Sequence, residues 1–318
     1  NQMKLANISR IIVHDDTDPA DFVSLDHVEP YKNIDELIAS SGFENVEKLR
    51  EVVMASSEIW RSKLGPDPPA KVEPMVLTLK QGAPSALKSK LRVYNPTHRE
   101  FLRDHISELL NYNLIEENPQ AQFTSPVYVV PKKEPNEYRM TVDLREINQI
   151  CKKIKYPLID IKYMLDVLKN AKVFATLDLF KGFWQMPLSE DASKLCSFVT
   201  PFGVYRPKRV IMGSLNSVQY FQRIMSTILH DLLYKNVILY IDDIFVFGDS
   251  QTDLLNVLKI IFERCQHYNL KLNLKKSTLC VEEVKFCGRI LSADGIQHDP
   301  ERIRSLCMLS PPGTLKLL

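Results

Sequence analysis

The sequence predicts an α+β fold in which helices and antiparallel strands are mixed. Stretches with helical apolar spacing are interspersed with short apolar or alternating stretches typical of strands. Several predicted strands follow one another across short turns, which indicates hairpins and argues against a parallel, doubly wound sheet. The chain has 318 residues, 45% of them hydrophobic and 25% charged, which is ample for a folded core.

Amphipathic stretches predict the helices in order. The clearest runs from His98 to Glu117, where Thr97 is the expected N-cap, Glu100 completes a capping box and an apolar stripe follows. The other helices are expected near Val46–Trp60, Pro157–Leu168, Ser214–Leu233 and Thr252–Tyr268, and in the tail beyond Asp299. The segment 65–69, Gly-Pro-Asp-Pro-Pro, predicts a break and a linker.

The strands are predicted from apolar runs bounded by turn residues. Pro126–Pro131 and Tyr138–Leu144 are expected to form a hairpin, and Val173–Leu177 a strand that ends at Asp178. Further strands are expected within 72–97, at Ser197–Tyr205, on both sides of Asp242 and Asp243, and within Asn269–Leu291.

Composition excludes several classes of protein. No apolar run approaches the ~20 residues of a membrane span, and no secretory signal is visible, so an intracellular location is expected. The six cysteines have no spacing typical of zinc sites and are expected to be reduced. Residues 1–80 carry an acidic excess and the remainder a basic one, which hints at a polyanionic partner.

Three acidic residues stand at the ends of apolar strands. Asp242 and Asp243 interrupt an apolar run, and Asp178 ends another. A charge taken from water costs several kcal/mol unless it is paired or bound to a metal. The pattern therefore predicts a hairpin whose turn holds two carboxylates beside a divalent cation, with Asp178 as a third ligand.

A competing interpretation treats Asp242 and Asp243 as an ordinary solvated turn, because Asp is common in turns. The apolar residues on both sides, Tyr240 before the pair and the separate Asp178 strand favour the metal site. Asp178 taken alone would be read as a surface acid at the end of a strand.

The chain resembles the reverse transcriptases of gypsy-type long-terminal-repeat retrotransposons. The resemblance covers about residues 75–310, and its motifs occur in the order of the family. They are the stretches at 125–133, 138–148, 156–160, 177–187, 240–247, 273–276, 284–289 and 293–296, together with Asn216, Phe221 and Gln222.

The resemblance implies a right-hand polymerase with fingers, a palm built on an antiparallel sheet, and part of a thumb. Residues 1–70 would precede the polymerase, 71–298 would form fingers and palm, and 299–318 would begin the thumb or connection. Protease and RNase H are expected to be absent from this chain. Together with integrase, they are expected to belong to the rest of a Pol polyprotein. The implied activity is RNA-directed DNA synthesis from a primer, using deoxynucleotides and two Mg²⁺ ions, for which Mn²⁺ can substitute.

Site residues follow from the matching positions. The implied metal ligands are Asp178, Leu179, Asp242 and Asp243, of which the three acids are catalytic. The implied nucleotide contacts are Lys132, Arg139, Phe183 and Met212, with Phe183 as the ring that excludes a ribose 2′-hydroxyl. Contacts with the RNA or DNA template-primer are implied for Asn216, Gln222, Tyr240, Phe286 and Gly288.

Two other functions stay open on the sequence. The stretch Val210–Gly213 departs from the family pattern, which would suit a degenerate domain that binds nucleic acid without catalysis. An RNA-dependent RNA polymerase would use the same two-metal chemistry, but Phe183 argues against it.

Overall fold

The computed structural model describes residues 30–131, 137–157, 167–168, 171–286, 289–292 and 295–308. The helices in these ranges are α1 (Pro30–Ala39), α2 (Val46–Ala55), α3 (Pro96–Asn111), α4 (Arg145–Ile150), α5 (Gly182–Gln185), α6 (Glu190–Leu195), α7 (Ser217–Ile228), α8 (Gln251–His267) and α9 (Pro300–Cys307). None of the helices described is both long and apolar enough to cross a membrane.

The strands are short and mostly antiparallel. Their bounds are β1 (Trp60–Arg61), β2 (Leu87–Lys88), β3 (Ile115–Glu117), β4 (Phe123–Pro131), β5 (Tyr138–Val142), β6 (Val173–Asp178), β7 (Phe198–Thr200), β8 (Gly203–Pro207), β9 (Val237–Tyr240), β10 (Asp243–Gly248), β11 (Leu272–Asn273), β12 (Thr278–Val281), β13 (Glu283–Phe286), β14 (Arg289–Ser292) and β15 (Gly295–His298).

A four-stranded antiparallel sheet forms the centre of the protein, with strand order β12-β6-β10-β9. Its strands are almost wholly apolar because they are covered on both faces, and residues such as Ala175, Phe245 and Val246 are fully buried. Helix α8 packs on β6 and β10, and α7 packs on β9. The sheet is therefore a rigid base for whatever its strand ends carry.

A second sheet extends away from the centre, in the order β2-β4-β7-β8-β3. Strand β4 is long enough to pair with β7 near Ser125 and then with β5 from Val127 to Pro131. The β4–β5 hairpin that the sequence predicts is thus confirmed. A separate three-stranded sheet, β13-β14-β15, precedes α9.

The described residues before the predicted break, from α1 to β1, pack on the central core. Trp60 and Arg61 form a parallel pair with Leu272 and Asn273 of β11. The ring of Trp60 meets that of Phe262 of α8 edge-on, with centroids 5.4 Å apart. The segment from α1 to β1 thus shares one hydrophobic core with the central sheet, while the division of the chain into three parts stays a prediction.

Several predicted bounds were wrong, each for a local reason. Helix α3 begins at Pro96 and not at His98, because the side chain of Asn95, rather than that of Thr97, accepts the cap hydrogen bond from the His98 amide. It ends at Asn111 because Asn113 takes a positive φ of 57°. The expected strand Ser197–Tyr205 is two strands, β7 and β8, joined by a turn that the Thr200 side chain stabilises.

Other elements were predicted to within a few residues. Helix α8 matches its expected range, and the tail helix is present as α9. Helix α7 is shorter than the expected Ser214–Leu233, since residues before 217 and after 228 form turns. Helix α2 ends at Ala55, where a single 3-10 turn at Ser57–Ile59 leads into β1. Most of the predicted helix Pro157–Leu168 lies outside the described residues.

Candidate active site

The three predicted carboxylates come together at one edge of the central sheet. Strand β6 ends at Asp178 and β10 begins at Asp243, and the two residues are direct cross-strand partners. Asp243 is also paired with Tyr240 of β9 on its other side. Because cross-strand partners point to the same face, Asp178, Asp243 and Tyr240 form a row across three strands. The predicted convergence of Asp178 with the acidic hairpin is confirmed.

Asp242 lies in the tight turn between β9 and β10. Ile241 and Asp242 form a two-residue hairpin loop, since Tyr240 and Asp243 are the last pair of the ladder. Such loops favour a positive φ at their first residue, and Ile241 has a φ of 57°. This conformation is strained for a β-branched side chain. Ile241 nevertheless remains buried, so its side chain anchors the turn that presents Asp242.

Burial raises the pKa values of all three acids, and for Asp178 and Asp243 the charge of neighbouring acids acts in the same direction. Burial raises the pKa of Asp178 to about 7, with the charges of Asp242 and Asp243 acting in the same direction. The pKa of Asp243 is raised to about 6 by its dense surroundings and by Asp242, although the side chain reaches the surface. Burial also raises the pKa of Asp242. Carboxylates are thus held together at the expense of their ionisation.

Two groups offset part of this electrostatic cost. The positive charge of Lys276 lowers the pKa of each acid, and a hydrogen bond with the Asn273 side chain lowers that of Asp178. The Asp178 amide donates to the Ser277 hydroxyl at 3.3 Å. The other carboxylate oxygen of Asp178, Oδ1, is buried and has no hydrogen-bond partner among the described residues.

A divalent cation fits this donor set. A buried carboxylate oxygen without a donor is unusual, because most buried polar atoms are hydrogen-bonded. Hard oxygen ligands of negative charge are those that Mg²⁺ prefers. In the described part of the chain, no three His, Cys, Asp or Glu side chains already form a metal-holding group. The main chains of the acids are nevertheless fixed as neighbours by the pairing of β6, β10 and β9. Leu179 is fully buried and forms a bridge with Leu272.

The predicted nucleotide contacts lie on different elements of the fold. Arg139 is exposed on β5, opposite Val130, while Lys132 lies outside the described residues. Phe183 is 6% exposed in α5 and packs on Phe221, with ring centroids 5.2 Å apart. Met212 is half-buried in the turn before α7, next to Gly213, whose φ is 87°. Their contacts with a nucleotide stay predictions.

Two of the predicted template contacts have side chains engaged within the protein. Asn216 is buried, and its amide donates to the Lys152 carbonyl and accepts from the Ile154 amide. Gln222 is likewise buried and bonds at both ends to the β9–β10 hairpin. Tyr240 is half-buried in the row of acids.

The remaining predicted template contacts, Phe286 and Gly288, lie next to or within a gap in the described residues. Phe286 is the last residue of β13 and pairs with Arg289, but its side chain is outside the described residues. Gly288 also lies outside them. Both assignments stay predictions.

Some residues that support the site are distant from the acids along the chain, and the sequence did not predict them. Asn273 lies 95 positions from Asp178, yet it is the amide that hydrogen-bonds to this carboxylate. Asn148 joins α4 to the turn before α7, since its amide donates to the Gly213 carbonyl at 2.7 Å and accepts from the Leu215 amide at 2.8 Å. Neither role leaves a local signal, because both depend on contacts between distant segments.

Comparison with known proteins agrees with this geometry. The family model for reverse transcriptase (RNA-dependent DNA polymerase) matches residues 130–291, about half of the chain. The Pol polyprotein of transposon 297 of Drosophila melanogaster is 34% identical over 226 residues, which are 70% of this chain and 21% of that protein. The Pol polyprotein of transposon gypsy, from the same organism, is 29% identical over 213 residues, 65% of this chain and 20% of that protein. The chain spans about a fifth of the length of these relatives.

The fold has a close counterpart among solved structures. The foamy viral protease-reverse transcriptase in complex with an RNA/DNA hybrid superposes with a TM-score of 0.78 at 23% identity, over 91% of this chain and 39% of that one. The predicted α+β right-hand architecture and the resemblance to gypsy-type elements are both confirmed. With its acids in register on the central sheet and half of its length matching the family model, the chain belongs to the reverse transcriptase (RNA-dependent DNA polymerase) family.

Proposed function

We propose that this chain is the polymerase part of a retrotransposon Pol polyprotein and extends a primer with deoxynucleotides on an RNA or DNA template. The observation that carries the proposal is the register of β6 and β10, which sets Asp178 directly opposite Asp243 and beside Asp242. Family membership supports it, as does the solved relative that holds an RNA/DNA hybrid. The rest of the polyprotein, with protease, RNase H and integrase, is its expected partner, within the cell or a retroelement particle.

Asp178, Asp242 and Asp243, with Leu179 beside them, would hold two Mg²⁺ ions, or Mn²⁺ in their place. When bound, such ions lower the pKa of the attacking hydroxyl and neutralise charge on the leaving phosphate. The acids themselves fix where this happens, because their strands cannot move apart without breaking the sheet. Two of them have pKa values of about 6 and 7, so a nearby positive charge is required to keep all three ionised at neutral pH.

Other residues would orient the substrates. Arg139 is exposed on the β4–β5 hairpin, where its planar group of donors suits a polyphosphate. The ring of Phe183 is held from behind by Phe221, and a rigid ring is what a steric barrier against a 2′-hydroxyl needs. Lys276 is exposed beside the acids and would attract the phosphates of the primer and nucleotide.

Substitution of Asp242 by Asn tests the proposal. The change keeps the shape of the side chain and removes a ligand charge, so we expect primer extension on a primed RNA template to fall by at least ~10³-fold. Asp249→Asn is the matched control, because Asp249 is an exposed acid about 20 Å away, beyond the other end of β10. Comparable activity in the two variants would contradict the mechanism.

The same assay distinguishes the two alternatives. A wild-type protein that binds template-primer but extends it in neither Mg²⁺ nor Mn²⁺ would be the degenerate binding domain instead. Preferential use of ribonucleotides over deoxynucleotides would indicate an RNA polymerase. An exclusion of ribonucleotides that is lost in Phe183→Ala would support the proposed role of the ring.

A further inference from the structure

The turn that carries Asp242 is held in a conformation its own residues do not favour. Ile241, the first residue of the loop, has a φ of 57°, which β-branched residues rarely adopt. Strained backbone of this kind persists only where surrounding contacts over-determine it. Something outside the hairpin must therefore hold the turn.

Gln222 of α7 supplies that contact. Its Oε1 accepts a hydrogen bond from the Ile241 amide at 2.9 Å, and its Nε2 donates to the Leu239 carbonyl at 3.2 Å. The two bonds fall on either side of Tyr240, so one amide spans the end of β9 and the start of the turn. Gln222 is 5% exposed, and burial removes the competition of water for these bonds.

The residue before Gln222 fixes the helix against the other acidic strand. Phe221 is fully buried, and its ring lies so close to Gly182 that a Cβ added there would be 3.0 Å from it. It also packs on Phe183, five positions beyond Asp178. Consecutive residues of α7 thus contact the segment that follows β6 and the turn that precedes β10.

We propose that Gln222 is a positioning residue, which holds Asp242 and Asp243 against Asp178 through the main chain of the Ile241 turn, and not a template contact. The effect that we expect on the rate of primer extension rests on the proposed polymerase function. The structural part of the inference, the clamp on the turn, stands independently of activity.

Gln222→Met is the first test variant, because it preserves length and apolar packing but removes both hydrogen bonds. We expect kcat for primer extension to fall about 10- to 100-fold, since an error of about 1 Å in the placement of catalytic groups has effects of this size. The KM for deoxynucleotides and the Kd for template-primer are expected to stay within about twofold. If Gln222 were a template contact, the variant would instead raise the Kd for template-primer and leave kcat nearly unchanged.

Hydrogen exchange gives a readout that does not need an active enzyme. The Ile241 amide should exchange at least about tenfold faster in the variant, because its acceptor is gone. The Phe247 amide, which donates to the Asn236 carbonyl at the far end of β10, serves as the internal reference for general loss of stability. Its exchange should change far less than that of Ile241.

Gln185→Met is the matched control. This amide also bonds at both ends to main chain, on Phe180 and Lys271, but it does not touch the turn. We expect it to leave the exchange of the Ile241 amide unchanged. Gln222→Leu is the second variant should the Met variant not fold, since it also is apolar and removes both hydrogen bonds, so its effect should be in the same direction.

The outcomes separate the two proposals. Unchanged exchange of the Ile241 amide relative to that of Phe247 would overturn the positioning role, as would a raised Kd for template-primer with normal kcat. An inactive wild-type protein would overturn the proposed function, while the exchange comparison would still decide whether Gln222 holds the turn.

Discussion

At the scale of single residues, the site is defined by acids kept together against their own repulsion. Asp178 combines a pKa of about 7 with a carboxylate oxygen that lacks a partner among the described residues. Residues optimised only for stability would not be placed in this way, because each unpaired buried polar atom costs free energy. The arrangement is therefore evidence for function at Asp178, and it makes the stability of the protein depend on pH.

We predict that Asp178→Asn changes this pH dependence when no divalent cation is added. The pKa of Asp178 is about 7 in the folded protein and about 3.9 in an unfolded chain. The stability that protonated Asp178 contributes is therefore complete below pH ~4 and lost as pH rises through about 7. Asn resembles the protonated acid, so the variant should equal the wild type at pH ~4 and exceed it by on the order of 4 kcal/mol at pH ~8.

Urea unfolding of the two proteins between pH 4 and 8 measures this difference. A gap that stays constant with pH would contradict the prediction. Addition of Mg²⁺ at pH ~8 should stabilise the wild type more than the variant, because ligands that bind only the folded state raise its stability.

At the scale of elements, α7 is the part that links the two acidic strands. One of its faces carries Phe221, against Gly182 and Phe183, and the next residue bonds to the hairpin. The helix has no described side-chain cap at its N-terminus. Its position is thus determined by packing and by buried amides, which makes its contact surface sensitive to small changes in volume.

Gly182→Ala should show this sensitivity. A methyl group at 182 would lie 3.0 Å from the buried ring of Phe221. Ala favours the helix by up to ~1 kcal/mol over Gly, but overpacking a rigid core site costs about 1–3 kcal/mol. We expect a net loss of about 1–2 kcal/mol in the free energy of unfolding, measured in urea.

Gly65→Ala is its control, because the nearest atom to the added methyl would be 4.0 Å away. That change should stay within ~0.5 kcal/mol of the wild type. Equal effects at the two positions would show that the contact with Phe221 is not tight.

At the scale of the whole molecule, the segment from α1 to β1 is part of the same folded core as the central sheet. Strand β1 pairs with β11, and β11 carries the Asn273 that bonds to Asp178. The segment from α1 to β1 is therefore connected to the acids through the β1–β11 pairing and the hydrogen bond between Asn273 and Asp178. The sequence alone predicted only that residues 1–70 form a linker or extension preceding the polymerase, since this region carries no polymerase motif.

Trp60→Ala tests whether this segment stabilises the polymerase. Trp60 is 2% exposed and packs edge-on against Phe262. Truncation of a buried Trp costs about 3–5 kcal/mol, and we expect that loss in a single cooperative unfolding transition that includes the central sheet. Val46→Ala, at a site that is 41% exposed in α2, should change stability by less than ~0.5 kcal/mol. Unfolding of the sheet at an unchanged urea concentration in Trp60→Ala would contradict the shared core.

Much of the fold followed from local patterns. The period of apolar residues located α8, and the turn residues located the hairpins that carry Arg139 and Asp242. Errors occurred where one residue competes with another for the same local role, as Asn95 did with Thr97 at the start of α3. The short strands β7 and β8 were merged although Pro201 lies in the turn between them, because a three-residue strand is too short to show an alternation of its own.

The sequence by itself determined that acids would interrupt two buried strands, because a strand pattern and a hairpin turn are encoded by neighbouring residues. The same pattern predicted that Asp178 and the hairpin meet at one cation, and resemblance to a family implied the same convergence. Only the tertiary structure decided the register that opposes Asp178 to Asp243, the bond from Asn273, and the clamp of Gln222 on Ile241. These contacts join residues 19 to 95 positions apart, and they form only when many side chains pack at once, which no local pattern records.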